Sequence, residues 1–222
     1  MIQIAPSILS ADFTRIADSV KMAEDAGADL IHVDVMDGHF VPNLTSGPEL
    51  VAALKDKTTL PLDVHLMVEN PGLFIPLFQE AGADWISIHI EASVHLHQDI
   101  SSIKEKGQRA GLVLNPATPI HLMNEIIQDL DFVLLMTVNP GWGGQGFIES
   151  CHKKIRHLKN WLTGQKLEIP IQVDGGIKLD NLEEIIQDGA DIIVMGSGIY
   201  KEEDPSEVIK TIKSLVKEYE KP

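Results

Sequence analysis

The sequence predicts a (β/α)8 barrel of the TIM type, formed as one domain over residues 1–222. Three observations carry that expectation. Eight β-rich runs alternate strictly with eight helical patterns, an order that implies a parallel sheet. Three segments share one grammar, Gly-Ala-Asp followed by an apolar run: "AGADLIHVDV" at 26–35, "AGADWISIHI" at 81–90 and "DGADIIVMGS" at 188–197. The 222 residues also contain no Pro/Gly/Ser-rich linker and no low-complexity segment. An open, doubly wound sheet is the alternative, but eight complete units favour closure.

Taken in order, the first strand covers 2–9 ("IQIAPSIL") and leads into a helix over 12–25, where Phe13, Ile16, Val20 and Ala23 recur at helical spacing. Gly27 follows it and suits the left-handed position that ends a helix, as Gly82 and Gly189 do in the other two repeats. The second and third units pair strands at 30–36 and 60–67 with helices at 48–56 and 71–80. The fourth and fifth pair 85–91 with 95–106, and 110–115 with 120–128. Strands at 132–138, 169–174 and 192–196 then alternate with helices at 150–162, 180–187 and 205–219. The last helix has clear signals: Asp204 as N-cap, Pro205 at N1 and Glu207 at N3, then a stripe of Val208, Ile212, Leu215, Val216 and Tyr219.

Composition limits the function classes. Eighteen Lys and Arg against thirty-three Asp and Glu give a net charge of −15, which argues against a nucleic-acid surface. A small anionic substrate stays compatible, because a metal or a helix N-terminus can supply local positive potential. Cys151 is the only cysteine, so no intrachain disulfide forms and a reducing compartment is expected. No apolar stretch approaches the roughly eighteen residues a membrane span needs, and the chain begins without a basic leader. A cytoplasmic protein is the expectation.

The stretch "IHVDVMDGHF" at 31–40 locates the chemistry. Strand side chains alternate faces, so His32 and Asp34 point the same way, their Cα atoms about 6–7 Å apart. Both lie near the C-terminal end of their strand, the end from which barrel active sites are built. His65 in "LDVHLMV" and Asp174 in "IQVDGGI" occupy the same end of the third and seventh strands. Two imidazoles and two carboxylates converging on one mouth suit a first-row divalent metal. A lone strand histidine is more often a hydrogen-bonded core residue. Four such residues at functional strand ends outweigh that reading, since buried carboxylates are costly unless a cation offsets them. Four protein ligands would require expansion to five or six coordination when substrate binds.

Glycines form a second cluster. "GWGGQGF" at 141–147 matches the G-x-G-x-x-G pattern, but five strands precede it, Pro140 and Trp142 crowd the turn, and no helix starts at Gly146. A mobile loop covering a phosphate fits better than a dinucleotide site. "DGG" at 174–176 and "GSG" at 196–198 end the seventh and eighth strands, where barrels often bind phosphate through backbone N–H groups. Tight turns explain any one glycine pair equally well. The basic stretch "CHKKIRHLKNW" at 151–161 reads as a solvated helix face. His89 shares the parity of Glu91 and either lines the mouth or sits in the core. Met36, Met67 and Met136, near the ends of strands two, three and six, read first as core packing and second as a polarizable floor under a delocalised anion.

Together "APSILSADF", "HVDVMDGHFVPN", "DVHLM", "LNPATP", "LLMTVNPGWGGQGF", "VDGGI" and "MGSGIY" resemble the ribulose-phosphate 3-epimerase family over essentially the whole chain. Trp142, where Phe is usual, and Ser46, after "NLT", depart from that pattern without touching a proposed ligand. The resemblance implies that His32, Asp34, His65 and Asp174 hold one divalent ion per chain, with zinc or iron(II) favoured and manganese or cobalt compatible. It implies that Asp34 and Asp174 are the acid/base pair and that Ser7 and His65 contact substrate. It places Gly141, Trp142, Gly143, Gly144, Gly175, Gly176, Gly196 and Ser197 at the phosphate end. The implied reaction interconverts D-ribulose 5-phosphate and D-xylulose 5-phosphate through a C3 enediolate, in the pentose phosphate pathway. A hexulose-6-phosphate 3-epimerase, or a decarboxylase or aldolase on the same barrel, are the rivals. The latter sites commonly add a lysine near the reacting carbon, and none stands at strand ends two, three or seven. Relatives of this kind often assemble, so a homo-oligomer is compatible, and no membrane partner is expected.

Overall fold

The computed structural model describes residues 2–219 and forms an eight-stranded, all-parallel barrel. Its strands are β1 (Gln3–Pro6), β2 (Ile31–Met36), β3 (Leu62–Met67), β4 (Trp85–His89), β5 (Arg109–Leu114), β6 (Phe132–Met136), β7 (Ile171–Asp174) and β8 (Ile192–Met195). From β2 to β8 each strand pairs with its sequence neighbour, and β8 also pairs with β1. The gap between β1 and β2 is bridged by the Asp29 and Leu30 N–H groups, which donate to Ile4 O at 2.9 and 3.3 Å, and by a parallel bridge from Ser7 to His32.

Outward strand residues such as Val33, Val64, Ile86, Leu112, Val133, Val173 and Ile193 are fully buried beneath the helices. Strands covered on both faces need this continuous apolar character. Inside the barrel, Trp85, Phe132 and Ile192 fill the N-terminal end. Gly111 makes that packing feasible: a Cβ there would collide with the Phe132 ring.

The Gly-Ala-Asp repeat has a physical reason. Asp29, Asp84 and Asp191 each accept the backbone N–H that opens the preceding odd-numbered strand: Ile4, Leu62 and Ile171, at 2.8, 2.8 and 3.0 Å. Asp131 does the same for Ala110 at 2.8 Å without sharing the motif. Each carboxylate also meets a lysine from the helical layer: Lys213, Lys55, Lys159 and Lys104 respectively. The repeat therefore starts strands two at a time.

The helices are α1 (Ile16–Ala26), α2 (Pro48–Lys55), α3 (Pro71–Glu80), α4 (Leu96–Glu105), α5 (Ser150–Gln165), α6 (Leu182–Gln187), α7 (Ser197–Tyr200) and α8 (Pro205–Tyr219). Gly27 takes the left-handed conformation after α1 at φ 97°, as its position implies. The expected helix start near residue 12 is instead a 3-10 turn over Phe13–Arg15, begun by Asp12 accepting the Thr14 N–H, and Phe13 points outward rather than into the core. The expected helix over 120–128 is two 3-10 turns, Ile120–Met123 and Ile127–Asp129. Met123, Ile126, Ile127 and Leu130 are still buried at helical spacing. Their hydrogen bonds run from residue i+3 to i, so the tighter winding meets the same burial pattern.

The basic stretch on α5 is not simply solvated. His152 is buried against Asp188 at 2.5 Å, Arg156 pairs with the same carboxylate, and Lys154 donates to Asn115 O at 2.6 Å. These contacts tie α5 to the neighbouring units. No helix among the described residues is long and apolar enough to cross a membrane.

Candidate active site

The register sets the expected strand-end residues round one mouth. Asp34 on β2 lies beside His65 on β3, and Met36 beside Met67. Across the barrel, Met136 on β6 lies beside Asp174, the last residue of β7. One donor atom from each of His32, Asp34, His65 and Asp174 lies within 4.8 Å of the others. Asp34 is held from several sides: Ser7 Oγ donates to Oδ2 at 2.5 Å, His65 Nδ1 is 3.2 Å from Oδ1, and His32 Nε2 is 3.4 Å from Oδ1.

His32 is fully buried, and its Nδ1 lies 2.7 Å from Asp63 Oδ2. That carboxylate oxygen also accepts from Gln172 Nε2 at 2.5 Å, across the inside of the barrel. A carboxylate only accepts, so Nδ1 of His32 carries a proton and donates. Nε2 then faces the other three donors with no hydrogen-bond partner. An orphaned, buried imidazole nitrogen beside two carboxylates is the donor set a divalent cation requires.

In the absence of a cation, the negative charge of the cluster favours a proton on Nε2 of His32, in the place a cation would take. Burial opposes charge on His32, yet the Asp34 and Asp63 carboxylates outweigh it and hold its pKa well above the ordinary histidine value. Burial likewise opposes ionisation of Asp34, but His32 and His65 hold its carboxyl far below the usual range. Burial lowers His65. Asp174 is pushed up to about 7, first by burial and then by the negative charge of Asp34. Two carboxylates in one mouth thus sit at opposite ends of the protonation scale.

A cavity opens above this cluster. Ser7, Asp34, Asp174, the three methionines Met36, Met67 and Met136, and the glycine segments Gly141–Gly144, Gly175–Gly176 and Gly196–Ser197 all line it. His32 and His65 lie behind the carboxylates and do not reach the cavity wall. Among the described residues, no lysine or arginine lines it either. The Asp174–Gly176 turn is fixed by Thr137, whose hydroxyl donates to Asp174 O at 2.9 Å and Gly175 O at 2.5 Å. The glycine loop is braced by Asn43 Nδ2 on Gly141 O at 2.8 Å and by Gln145 Nε2 on Asn139 O at 2.7 Å. It does not open a helix: α5 starts at Ser150, so the dinucleotide pattern at 141–146 lacks its structural context.

Comparison with known proteins identifies the family. The family model described as the ribulose-phosphate 3 epimerase family matches residues 3–200. The chain belongs to that family. The ribulose-phosphate 3-epimerase of Bacillus subtilis is 50% identical over 214 residues, spanning 96% of this chain and 99% of the relative. That of Escherichia coli is 46% identical over 212 residues, spanning 95% and 94%. This chain is accordingly an epimerase, an enzyme of the isomerase class. Among solved structures, 3-hexulose-6-phosphate synthase from Salmonella typhimurium superposes with a TM-score of 0.72 at 16% identity, over 98% of this chain and 100% of that one. Orotidine 5'-phosphate decarboxylase from Pyrococcus horikoshii gives 0.70 at 19% identity, over 97% and 99%. At such identities the likeness concerns the barrel alone.

Three features of the candidate site escape a reading confined to strand ends. Asp63 and Gln172 lie two residues before His65 and Asp174 on the same inward faces, and that parity is the signal that could have found them. Ser10 also lines the cavity; a Cβ at Gly196 would come 2.8 Å from its Oγ. Its place in a 3-10 turn after β1 leaves no periodic trace.

Proposed function

We propose that this epimerase interconverts D-ribulose 5-phosphate and D-xylulose 5-phosphate by inverting C3, with Asp34 and Asp174 as the two acid/base groups. The observation that carries the proposal is the pair of carboxylates from β2 and β7 lining one cavity with opposed proton affinities. The C3 proton lies next to the C2 carbonyl, so its removal gives an enediolate. One carboxylate takes that proton and the other returns one to the opposite face. Groups positioned this way typically contribute about 10²–10⁴-fold each. The Ser7 hydroxyl holds one Asp34 oxygen at 2.5 Å and so fixes the plane of that carboxylate.

His32, Asp34, His65 and Asp174 would hold one divalent ion, and their nitrogen–oxygen donor set suits zinc, iron(II), manganese or cobalt. When bound, it supplies Lewis-acid stabilisation of the enediolate charge, worth several kcal/mol. With no basic side chain on the cavity wall, the phosphate is assigned to backbone N–H groups around Gly175, Gly176, Gly196 and Ser197, under the Gly141–Gly144 loop. The three methionines form an apolar floor that excludes water from the reacting carbon. The same reading makes residues 1–222 one domain and the chain a cytoplasmic enzyme of the pentose phosphate pathway. Its charge of −15 leaves no role for nucleic acid.

Incubation of the purified protein with D-ribulose 5-phosphate in D₂O tests the proposal. It expects D-xylulose 5-phosphate carrying deuterium at C3. A shorter product would favour the decarboxylase or aldolase reading, and product without deuterium would exclude proton exchange through the carboxylates. Faster turnover of a hexulose 6-phosphate offered in parallel would move the assignment to the longer sugar.

A further inference from the structure

The catalytic reading leaves His89 and Glu91 without a role, yet both are built into the cluster. His89 is fully buried at the end of β4. Its Nε2 lies 2.9 Å from Nε2 of His65, and its Nδ1 lies 3.1 Å from Glu91 Oε2. The two rings are inclined by 27° with centroids 5.0 Å apart, and the Phe40 ring packs against His89 at 4.6 Å between centroids. Glu91 is itself pinned: its Oε1 accepts the Asn115 N–H at 2.9 Å and the Thr118 hydroxyl.

Two neutral rings can donate to only one of the carboxylates at the ends of this chain, Glu91 or Asp34; with a cation engaging Asp34, donor and acceptor counting has one outcome. The Glu91 carboxylate has no proton to give, so His89 donates from Nδ1. A neutral imidazole has one N–H, so His89 Nε2 is an acceptor, and the nitrogen facing it, His65 Nε2, must donate. His65 Nδ1 is then a bare lone pair, 3.2 Å from Asp34 Oδ1 and aimed into the cluster. The Asp63 carboxylate imposes the mirror arrangement on His32, where Nδ1 donates and Nε2 is bare.

We propose that Glu91 and His89 act as a positioning pair that locks His65 in its Nε2–H tautomer and presents Nδ1 as the metal-binding atom. The inference rests on the metal reading above and names residues outside the four ligands. Partners of this kind fix ring orientation and tautomer, and their loss typically weakens metal binding about 10–100-fold. Neither residue touches the cavity in which substrate would sit. Glu91 acts on His65 only through His89.

The test combines long-range ¹H–¹⁵N NMR of the histidine rings with zinc affinity by chelator competition, on the full chain and its Glu91→Ala and Glu91→Gln variants. In the zinc-loaded wild-type protein, His65 should carry its proton on Nε2 and His89 on Nδ1. Glu91→Ala should bring the His65 tautomers into exchange and weaken zinc binding about 10–100-fold. Glu91→Gln, whose amide oxygen can still accept from His89, should restore the tautomer and most of the affinity. A zinc-loaded wild-type His65 protonated on Nδ1 overturns the inference, as does a His65 tautomer that either Glu91 variant that folds leaves unchanged while binding zinc like wild type. Wild-type protein that binds no zinc would refute the metal reading instead, which separates the two failures.

Discussion

Gly176 and Gly144 make a matched pair for testing whether the phosphate end is sterically preformed. Both have positive φ, 70° and 79°, a region that costs an L residue about 1–2 kcal/mol. A Cβ at Gly144 meets nothing within 4 Å. A Cβ at Gly176 would collide with Phe147 N and stand 2.7 Å from Phe147 Cα and 2.8 Å from Gly146 C. All three are backbone atoms, so no side-chain rotation relieves the contact. Overpacking of that kind adds about 1–3 kcal/mol. Gly144→Ala should therefore cost about 1–2 kcal/mol, and Gly176→Ala about 2–5 kcal/mol in total. Against a typical total stability of about 5–15 kcal/mol, the second is a severe lesion. Urea unfolding followed by circular dichroism measures both. At a slope of about 2 kcal/mol per molar, the Gly176→Ala midpoint should fall roughly 0.5–1.5 M below that of Gly144→Ala. Any shift of the 146–147 backbone should also raise KM for the phosphorylated substrate more than it lowers kcat. Coincident midpoints would refute the steric account of this turn.

Asp34→Asn and Asp174→Asn should each lower epimerisation by at least about 10²-fold while thermal unfolding stays cooperative; near-full turnover in either would exclude the two-base scheme. Asp63→Asn keeps an oxygen for His32 Nδ1 and Gln172 Nε2 but loses the charge, so metal affinity by chelator competition should drop about 10–100-fold, and unchanged affinity would remove Asp63 from the site. Glu91 is held down to about 2 from an ordinary 4.5 because its bonds to His89, Thr118 and Asn115 outweigh burial. Its lowered pKa contributes stability fully present above about 4.5 and lost as pH falls toward about 2. Urea midpoints measured across that window should therefore fall more steeply for wild type than for Glu91→Gln.

The fold is legible because short, largely apolar runs alternate with helical patterns and each Gly-Ala-Asp marks a helix end and a strand start. The 120–128 segment was misread because burial spacing alone does not separate an α-helix from successive 3-10 turns. The site was legible wherever a polar residue interrupted an apolar strand near its C-terminal end, as His32, Asp34, His65 and Asp174 do. It was less legible one layer deeper. Asp63 and Gln172 sit 109 residues apart and meet only because β3 and β7 face each other across the barrel interior. No local spacing records that encounter. The role of α5 was hidden for a related reason: its cations find partners on other βα units, which a helix read alone cannot show.

One ion held between two proton-carrying carboxylates is the centre of the proposed chemistry, and a stoichiometric titration tests it most directly. Chelator-stripped protein would be titrated with cobalt(II), with bound metal and C3 epimerisation of D-ribulose 5-phosphate followed in the same sample. Turnover should rise in step with occupancy and level off at one ion per chain. Full turnover in the stripped protein, or saturation without any return of activity, would contradict the account.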